Sequence, residues 1–381
     1  MTCNMKNREI VKGAKDFLPP EAAMKRQFEN QAIDIFIRWG YREVITPTFE
    51  YLEVIESGAG EGIRDELFLL QDRDGRLLAL RPEMTIPIAR IVSTKFRDYE
   101  GPLRLFYNAN IFRHALPQMG RYQEFYQLVV ELIGASGPRA DAEVIALAAE
   151  ILNQQELDFK ISLNHIGIFN NLLVQSGLGE NDIEGIKQLV LKKDLVGLGK
   201  MSSSLPLGPE FRQVLLELPV MHGGMEILER LEAIRDVPGV TEAIRELSGV
   251  YDHLAAYGIQ QDVVIDLGIL RGFDYYTGIV FEGYSPQLGY PLLGGGRYDH
   301  LLDKFGCPRV ATGFAVGIER VLLALQQRTC SPPEIFTVSG HDLAAVLAKA
   351  RELREQGFIV EVDLNGQDSQ EKVVVRSKRG R

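Results

Sequence analysis

Two long strand-like segments with a polar stretch between them constrain the fold of this chain more than any other feature. Residues 102–113, PLRLFYNANIFR, and residues 122–134, YQEFYQLVVELIG, are rich in the aromatic and β-branched side chains that favour strands. The short separation predicts that they pair as an antiparallel hairpin. A second hairpin is predicted at Asp74-Gly75, where two apolar runs meet. Together the hairpins indicate an antiparallel sheet rather than a series of βαβ units.

Helical segments surround these strands and divide the chain. Residues 21–38 and 141–152 carry apolar side chains at helical spacing. From about 170 to 257, Leu, Glu, Lys and Gly dominate and the periodicity is helical, which predicts an inserted helical module. The main domain is expected over residues 1–326. Residues 331–381 predict a small, truncated β-α-β piece with a frayed basic end, RSKRGR.

Charge and cysteine usage exclude several classes of protein. A net charge of −10 disfavours a general nucleic-acid binder, which would be basic. Three scattered cysteines argue against a disulfide framework and favour a reducing compartment. The N-terminus lacks an apolar secretory segment, and no run approaches the ~18 apolar residues of a membrane span. A cytoplasmic protein is therefore expected.

Motifs for metals and nucleotide cofactors are not found. The six histidines show no ligand spacing. The stretch GLGKMSSS resembles a phosphate-binding loop, but Asp194 stands where that loop needs its first glycine. We therefore expect neither a metal nor a cofactor.

One predicted strand, EFYQLVVEL, carries an amide and a carboxylate among apolar residues. Side chains alternate between the faces of a strand, so one face holds Phe125, Gln127, Val129 and Glu131. A buried carboxylate is costly unless it is paired or hydrogen-bonded. Glu131 therefore either holds a ligand ammonium, assisted by Gln127, or forms an internal salt bridge with a nearby arginine. The segment alone leaves both interpretations open.

Two further motifs have a structural and a functional interpretation. In LRPEMT, Arg81 and Glu83 point one way from a strand end and Thr85 follows, which is typical of a solvated strand terminus but also suits a polar ligand. LLGGGRYD predicts a tight glycine turn between two strands, or a place where a ligand approaches the backbone closely.

Arginines and tyrosines supply the remaining candidates. Arg113 and Arg121 face each other across the mouth of the long hairpin, an arrangement that would suit a phosphate. Tyr275 and Tyr276 lie in the predicted turn RGFDYYTG and either offer rings and hydroxyls to a ligand or pack a hairpin. Arg320, in the first turn of a predicted helix, either reaches a phosphate or is surface charge.

Taken together and in order, these motifs resemble histidyl-tRNA synthetase, a class II aminoacyl-tRNA synthetase. The resemblance covers roughly Gly13 to Gln326 and rests on KGAKDFLPPE, LRPEMT, FRHALPQMGRYQEFYQ, RGFDYYTGIVFE, LGGGRYDHLL and GFAVGIERVLLAL. It implies an α+β fold, with an antiparallel sheet flanked by helices and a helical insertion. It also implies a histidine-binding role for Glu83, Thr85, Arg113, Gln127, Glu131, Arg271, Tyr275 and Tyr276. In that family the carboxylates meet the α-ammonium, an arginine meets the α-carboxylate, and the tyrosines lie against the imidazole.

Two departures from the family pattern bear on function. Ala115-Leu116 stands where active synthetases have Glu-Arg, which seats adenine and grips the ATP phosphates. Replacing that arginine leaves charge at the transition state poorly compensated, although Arg121 and Arg320 remain as residual phosphate candidates. The C-terminal anticodon-binding domain is reduced to residues 331–381, so tRNA binding is not expected.

This combination resembles the histidyl-tRNA synthetase-like regulatory subunits of ATP phosphoribosyltransferase. The resemblance implies a non-catalytic protein, a short-form catalytic subunit as partner, and histidine as a feedback effector. It also implies a homodimer within a hetero-oligomer, a hetero-octamer by family analogy. An active, shortened histidyl-tRNA synthetase and a stand-alone amino-acid-binding or ligating enzyme on the same fold are the alternatives.

Overall fold

The computed structural model describes residues 9–59, 61–114, 122–270, 275–286, 288–326, 334–364 and 371–379. The helices in these ranges are α1 Pro19–Arg38, α2 Leu52–Ala59, α3 Thr85–Lys95, α4 Pro138–Gln154, α5 Ile166–Gln175, α6 Glu180–Leu191, α7 Leu195–Ser204, α8 Pro209–Glu217, α9 Val240–Ala256, α10 Ile318–Gln326 and α11 Leu343–Glu355. The strands are β1 Arg42–Glu43, β2 Phe49–Tyr51, β3 Leu69–Gln71, β4 Leu77–Leu80, β5 Leu103–Phe112, β6 Glu124–Ile133, β7 Lys160–His165, β8 His222–Gly223, β9 Val263–Asp266, β10 Ile279–Tyr284, β11 Leu293–Arg297, β12 Ala311–Gly317, β13 Glu334–Ser339, β14 Ile359–Val362 and β15 Val374–Arg379. None of the described helices is long and apolar enough to cross a membrane.

The chain divides into two units, Met1–Leu325 and Gln326–Arg381. This division lies close to the boundaries expected at residues 326 and 331. Each unit has a sheet and a hydrophobic core of its own.

The predicted long hairpin forms at the centre of the first unit. β5 and β6 pair antiparallel, with Leu105 opposite Glu131. Leu128 and Val130 of β6 pack into the main hydrophobic core with side chains from α1 and α4. Gln127 and Glu131, on the other face of the strand, line a cavity. The alternation predicted from the sequence is therefore confirmed.

The main sheet contains nine strands within the described residues, in the order β1-β5-β6-β12-β11-β10-β7-β9-β8. Its centre is antiparallel, as predicted, but β1 with β5 and β7 with β9 pair in parallel. Parallel neighbours need a long crossover connection. The helices α5 to α9 provide it between β7 and β9, which gives the predicted helical module a place in the topology. Its last helix, α9, packs on α4 and α5 and on β7.

The segment LGGGRYD forms a strand, so the predicted glycine turn is wrong. β11 is buried along its whole length and pairs with both β10 and β12. A Cβ atom at Gly295 would clash with the carbonyl of Gly313 and lie 2.6 Å from the Cα of Phe314. The glycines are required by this close approach of neighbouring strands, a contact that the local sequence cannot reveal.

A smaller antiparallel sheet in the first unit has the order β2-β4-β3, and its β3–β4 pair is the hairpin predicted at Asp74-Gly75. The pairing register places Phe49, Tyr51, Leu70, Leu78 and Leu80 on one face, which we call the apolar sheet face. Phe49 is 54% exposed, Leu70 46% and Tyr51 38%. The opposite face carries Ala79, which packs with Ile86 of α3. The small sheet therefore has one packed face and one exposed apolar face.

The second unit contains β13, α11, β14 and β15, with strand order β14-β13-β15. Val338, Val346, Ala350 and Val360 form its core. Residues 376–379 of the basic end predicted as frayed instead lie in β15, which pairs antiparallel with β13, and residues 380–381 lie outside the described residues. Backbone pairing stabilises this strand although Arg376 and Ser377 are exposed, and Val374 and Val375 are its only apolar residues, too short a run to identify the strand from sequence.

Candidate functional site

A cavity of about 570 Å³ lies in the first unit, against the faces of β6, β11 and β12 and the first turn of α3. Of the residues expected to bind histidine, those that line it are Glu83, Thr85, Arg113, Gln127, Glu131, Tyr275 and Tyr276. Arg271, the eighth, lies outside the described residues. The structure thus brings together side chains from segments nearly two hundred residues apart.

Glu131 is the most buried acid in this cavity, with 1% of its surface exposed. The Thr85 hydroxyl donates to its Oε1 at 2.9 Å and the Tyr298 hydroxyl donates to its Oε2. Gly313 faces it across the sheet, and a Cβ atom there would clash with Oε2. Glu131 is thus held on two sides by hydroxyl groups and on a third by bare backbone.

The pKa of Glu131 is raised to about 8. Burial is the largest cause; the hydrogen bonds from Tyr298 and Thr85 lower the pKa in part, and the nearby Glu83 raises it. Among the described residues, the groups that contact its carboxylate are hydroxyls, and no arginine or lysine forms an ion pair with it. The internal salt bridge considered from the sequence is therefore not found in this part of the chain. A buried acid of this kind favours either a bound proton or a cationic ligand.

Glu83 holds the start of α3 in place. Its Oε2 accepts from the Thr85 backbone N–H at 2.8 Å, and its Oε1 accepts from that of Ile86 at 2.7 Å. Burial raises the pKa of Glu83, while these two bonds and Arg113 lower it. A carboxylate at a helix N-terminus is also favoured by the helix dipole. Thr85, fixed in this way, links the two acids, since its hydroxyl reaches Glu131.

The interpretation of LRPEMT as a solvated strand terminus is wrong. Arg81 and Glu83 are 6% and 5% exposed. Arg81 Nε donates to the Asn110 carbonyl at 2.8 Å and Nη1 to the Thr46 carbonyl at 3.1 Å. The motif is therefore an internal support for the cavity wall. Arg113 contributes to it as well, since its Nε donates to the Pro82 carbonyl at 2.6 Å.

Tyrosine rings close one side of the cavity. The ring centroids of Tyr275 and Tyr276 lie 4.9 Å apart, and those of Tyr275 and Tyr298 lie 5.7 Å apart. Burial raises the pKa of Tyr298 well above its usual value, and Glu131 raises it further, so this hydroxyl keeps its proton and donates. Sequence reasoning missed Tyr298 because its motif was interpreted as a turn.

Tyr107 is a second cavity residue that sequence reasoning missed. It is 1% exposed and stands opposite Val129 in the hairpin, between the positions that face Gln127 and Glu131. The hairpin register would have located it, because directly opposed residues of an antiparallel pair share a face.

Arg320 lines another part of the cavity and lies in the first turn of α10, as predicted. Its Nη1 donates to the Pro291 carbonyl at 2.8 Å, and its guanidinium lies 5.6 Å from the Tyr290 ring centroid. Beside it, Glu319 accepts from the Tyr126 backbone N–H at 2.9 Å. Burial raises the pKa of Glu319 to about 6. Arg121 and the loop with Ala115-Leu116 lie outside the described residues.

The described wall of the cavity combines four acids, an amide, several hydroxyls and two arginines. Such a set suits a small molecule that carries both a cation and an anion, with tyrosine rings against an apolar or aromatic portion. No group of three His, Cys, Asp or Glu side chains in the described ranges is arranged to hold a metal ion.

Comparisons with known proteins agree on one family. The histidyl-tRNA synthetase family model matches residues 13–321. A protein of Moorella thermoacetica named "ATP phosphoribosyltransferase regulatory subunit" is 46% identical over 98% of this chain and 96% of its own length. The histidine–tRNA ligase of Methanocaldococcus jannaschii is 37% identical over 97% of this chain and 89% of its own length. A Bacillus halodurans structure described as "an ATP phosphoribosyltransferase regulatory subunit/histidyl-tRNA synthetase" superimposes with a TM-score of 0.84 at 36% identity, covering 95% of this chain and 94% of that one.

Proposed function

The chain belongs to the histidyl-tRNA synthetase family, and on that premise we propose that it is a non-catalytic regulatory subunit of ATP phosphoribosyltransferase. In this role it acts in the first step of histidine biosynthesis and carries the site through which histidine inhibits that step. Catalysis belongs to a short-form phosphoribosyltransferase partner. The observation that carries the proposal is the buried Glu131, which lies in a cavity with the other described histidine candidates and contacts hydroxyl groups.

Histidine fits this wall of acids, hydroxyls and rings. Glu83 and Glu131, linked by Thr85, attract the ammonium group, and Gln127 adds an amide. Arg113 neutralises the charge of the α-carboxylate. Arg271 joins it in this role, on the support of the family resemblance alone. Tyr275 and Tyr276 lie against the imidazole. A cationic ligand beside Glu131 stabilises its ionised form, which offsets the cost of burying that acid.

Feedback inhibition requires that histidine binding and subunit contact be coupled. Such couplings are typically about 1–3 kcal/mol and are reciprocal. The catalytic subunit must therefore change the affinity of this chain for histidine. The direct experiment is co-purification with the short-form subunit, followed by a phosphoribosyltransferase assay with and without histidine. Calorimetric titration of histidine into the free chain and into the complex completes it, and identical affinities would refute equilibrium coupling.

A working, shortened histidyl-tRNA synthetase is the second candidate, favoured by the similarity to the Methanocaldococcus jannaschii ligase. Ala115 and Leu116 argue against it, because they replace the Glu-Arg pair that active enzymes use for ATP. Histidine-dependent exchange of pyrophosphate into ATP by the purified chain decides between the two. Exchange supports the synthetase, whereas histidine binding without exchange supports the regulatory subunit.

The same proposal includes a homodimer within a hetero-oligomer, a hetero-octamer by family analogy, and a cytoplasmic location. The apolar sheet face supports self-association. Phe49, Leu70 and Tyr51 expose large apolar side chains there, and exposed apolar clusters of this type mark contact surfaces.

A further inference from the structure

Arg297 is a buried arginine directly behind the cavity wall. It is 5% exposed and ends β11, between Gly296 and Tyr298. Tyr298 faces the cavity and donates to Glu131. A Cβ atom at Gly296 would lie 3.0 Å from the Tyr276 ring, so the chain there touches a second cavity tyrosine. Because side chains alternate along a strand, Arg297 points away from both neighbours, to the opposite face of the sheet.

On that opposite face Arg297 forms a two-point ion pair with Asp141 in the first turn of α4. Its Nε lies 3.0 Å from Asp141 Oδ2, and its Nη2 lies 2.9 Å from Oδ1. Asp141 is 3% exposed. The remaining nitrogen, Nη1, donates to Asp299 Oδ1 at 3.1 Å and to the Ala135 carbonyl at 3.3 Å. Only the Nε contact with Asp141 is a hydrogen bond, and the Nη2–Oδ1 contact is electrostatic. Together with the two bonds of Nη1, these contacts fix the orientation of the guanidinium more narrowly than a single hydrogen bond does.

A chain of hydrogen bonds leads from this pair to the tyrosine-bearing segment. The Asp299 backbone N–H donates to the Thr277 hydroxyl at 3.0 Å, and the Thr277 N–H donates to the Arg297 carbonyl at 2.8 Å. Gly278 lies so close to the Arg297 side chain that a Cβ atom there would approach it at 3.0 Å. Thr277 directly follows Tyr275 and Tyr276. The groups that contact Arg297 thus hold the end of that segment.

Net stability alone gives little reason for a buried ion pair at this place. The cost of removing two charges from water often equals or exceeds their attraction, and well-packed apolar side chains of similar volume can be equally stable. Apolar packing cannot supply directional contacts that fix the relative positions of Tyr298, Thr277 and the start of α4.

We propose that the Arg297–Asp141 pair positions the tyrosine side of the ligand cavity. It acts through β11 on Tyr298, and through Thr277 on Tyr275 and Tyr276, without touching the ligand. The pair therefore determines how tightly a ring-bearing ligand binds. This inference rests on the proposed histidine site.

The test compares Asp141→Asn with a control on the same helix, Glu143→Gln. Glu143 also forms a two-point pair, with Arg104 at 2.7 and 2.8 Å, but neither residue lines the cavity. L-histidine is titrated calorimetrically into each full-length variant well below its unfolding temperature, and the unfolding temperatures are measured separately. We expect Asp141→Asn to weaken histidine binding about tenfold or more. The affinity of Glu143→Gln should stay within about twofold of the wild type, whatever its unfolding temperature.

Thr277→Val keeps the ion pair and removes only the hydroxyl that bonds to Asp299. It should weaken histidine binding severalfold while leaving the unfolding temperature nearly unchanged, and it serves as the decisive variant if Asp141→Asn does not fold. Unchanged affinity in both variants, with wild-type binding intact, overturns the positioning role and leaves the proposed function standing. A wild-type chain that does not bind histidine overturns both.

Discussion

Glu131 makes the stability of the first unit depend on pH in a direction opposite to that of an ordinary surface carboxylate. The perturbation is a rise in pH from 5 to 7, compared between the wild type and Glu131→Gln. Glutamine has the shape of the protonated acid but cannot ionise. Because burial raises the pKa of Glu131 to about 8 in the folded chain, the folded state keeps a proton that the unfolded state releases above about 4.5.

The direction and the size of the change in the free energy of unfolding follow from this difference in bound protons. Between pH 4.5 and about 8 the folded chain binds more protons than the unfolded chain, so the free energy of unfolding falls as pH rises. The contribution of protonated Glu131 to the free energy of unfolding is fully present below pH 4.5 and is lost by about pH 8. Each pH unit inside this window removes about 1.4 kcal/mol. From pH 5 to 7 the wild type should therefore lose about 3 kcal/mol more than Glu131→Gln does.

Urea unfolding at pH 5, 6 and 7 measures the effect, followed by the fluorescence of Trp39, the single tryptophan of the sequence. Trp39 lies in the unit Met1–Leu325, so the signal reports on the part of the chain that contains Glu131. Titrating groups that do not interact with Glu131 are common to both proteins and cancel in the difference, and the nearby Glu83 is the main group that does interact. Parallel pH profiles for the two proteins would refute the reasoning, since they would mean that the folded chain ionises Glu131 without penalty.

Three further perturbations test other parts of the account. Tyr275→Ala should abolish inhibition by histidine while the assembled enzyme stays active, as measured by phosphoribosyltransferase turnover with and without histidine; loss of assembly instead would give Tyr275 a structural role. Gly313→Ala should lower the free energy of unfolding, measured in urea, by about 2 kcal/mol or more, because its Cβ atom would clash with Glu131 and the Val130 carbonyl. Stability close to that of the wild type would contradict that geometry. Phe49→Asp should shift the free chain from dimer to monomer in sedimentation without changing its far-ultraviolet circular dichroism, and an unchanged dimer would place the contact elsewhere.

Local periodicity was sufficient to predict part of the cavity. Gln127 and Glu131 could be placed together because they lie on one strand, where the period of two fixes which side chains share a face. Glu83 and Thr85 were identified as candidates from a short motif. The burial of Arg81 and Glu83 was not predicted, since it depends on α3 beginning at Thr85 and on the contact of Arg81 with Asn110 of β5. A solvated strand end and a buried one can have the same sequence.

Long-range pairing accounts for what the sequence did not reveal. Tyr298 reaches Glu131 only because β12 pairs with β11 on one side and with β6 on the other, and the β11 glycines that permit this close packing look like a turn when taken alone. The basic strand β15 likewise depends on its pairing with β13, whose residues lie about forty positions earlier in the chain. In both cases the information resides in contacts between distant segments rather than in local composition.

The short helix α3 connects the pocket with the exposed sheet. The helix begins at Thr85, whose hydroxyl donates to Glu131. About 7.5 Å further along its axis, Arg90 forms an ion pair with Glu50 of β2. The neighbours of Glu50 in that strand, Phe49 and Tyr51, are exposed to solvent. If two copies of the chain join through that strand, two α3 helices, one in each copy, lie between the two cavities. A histidine-binding isotherm that departs from a simple hyperbola would then show that these helices couple the two cavities.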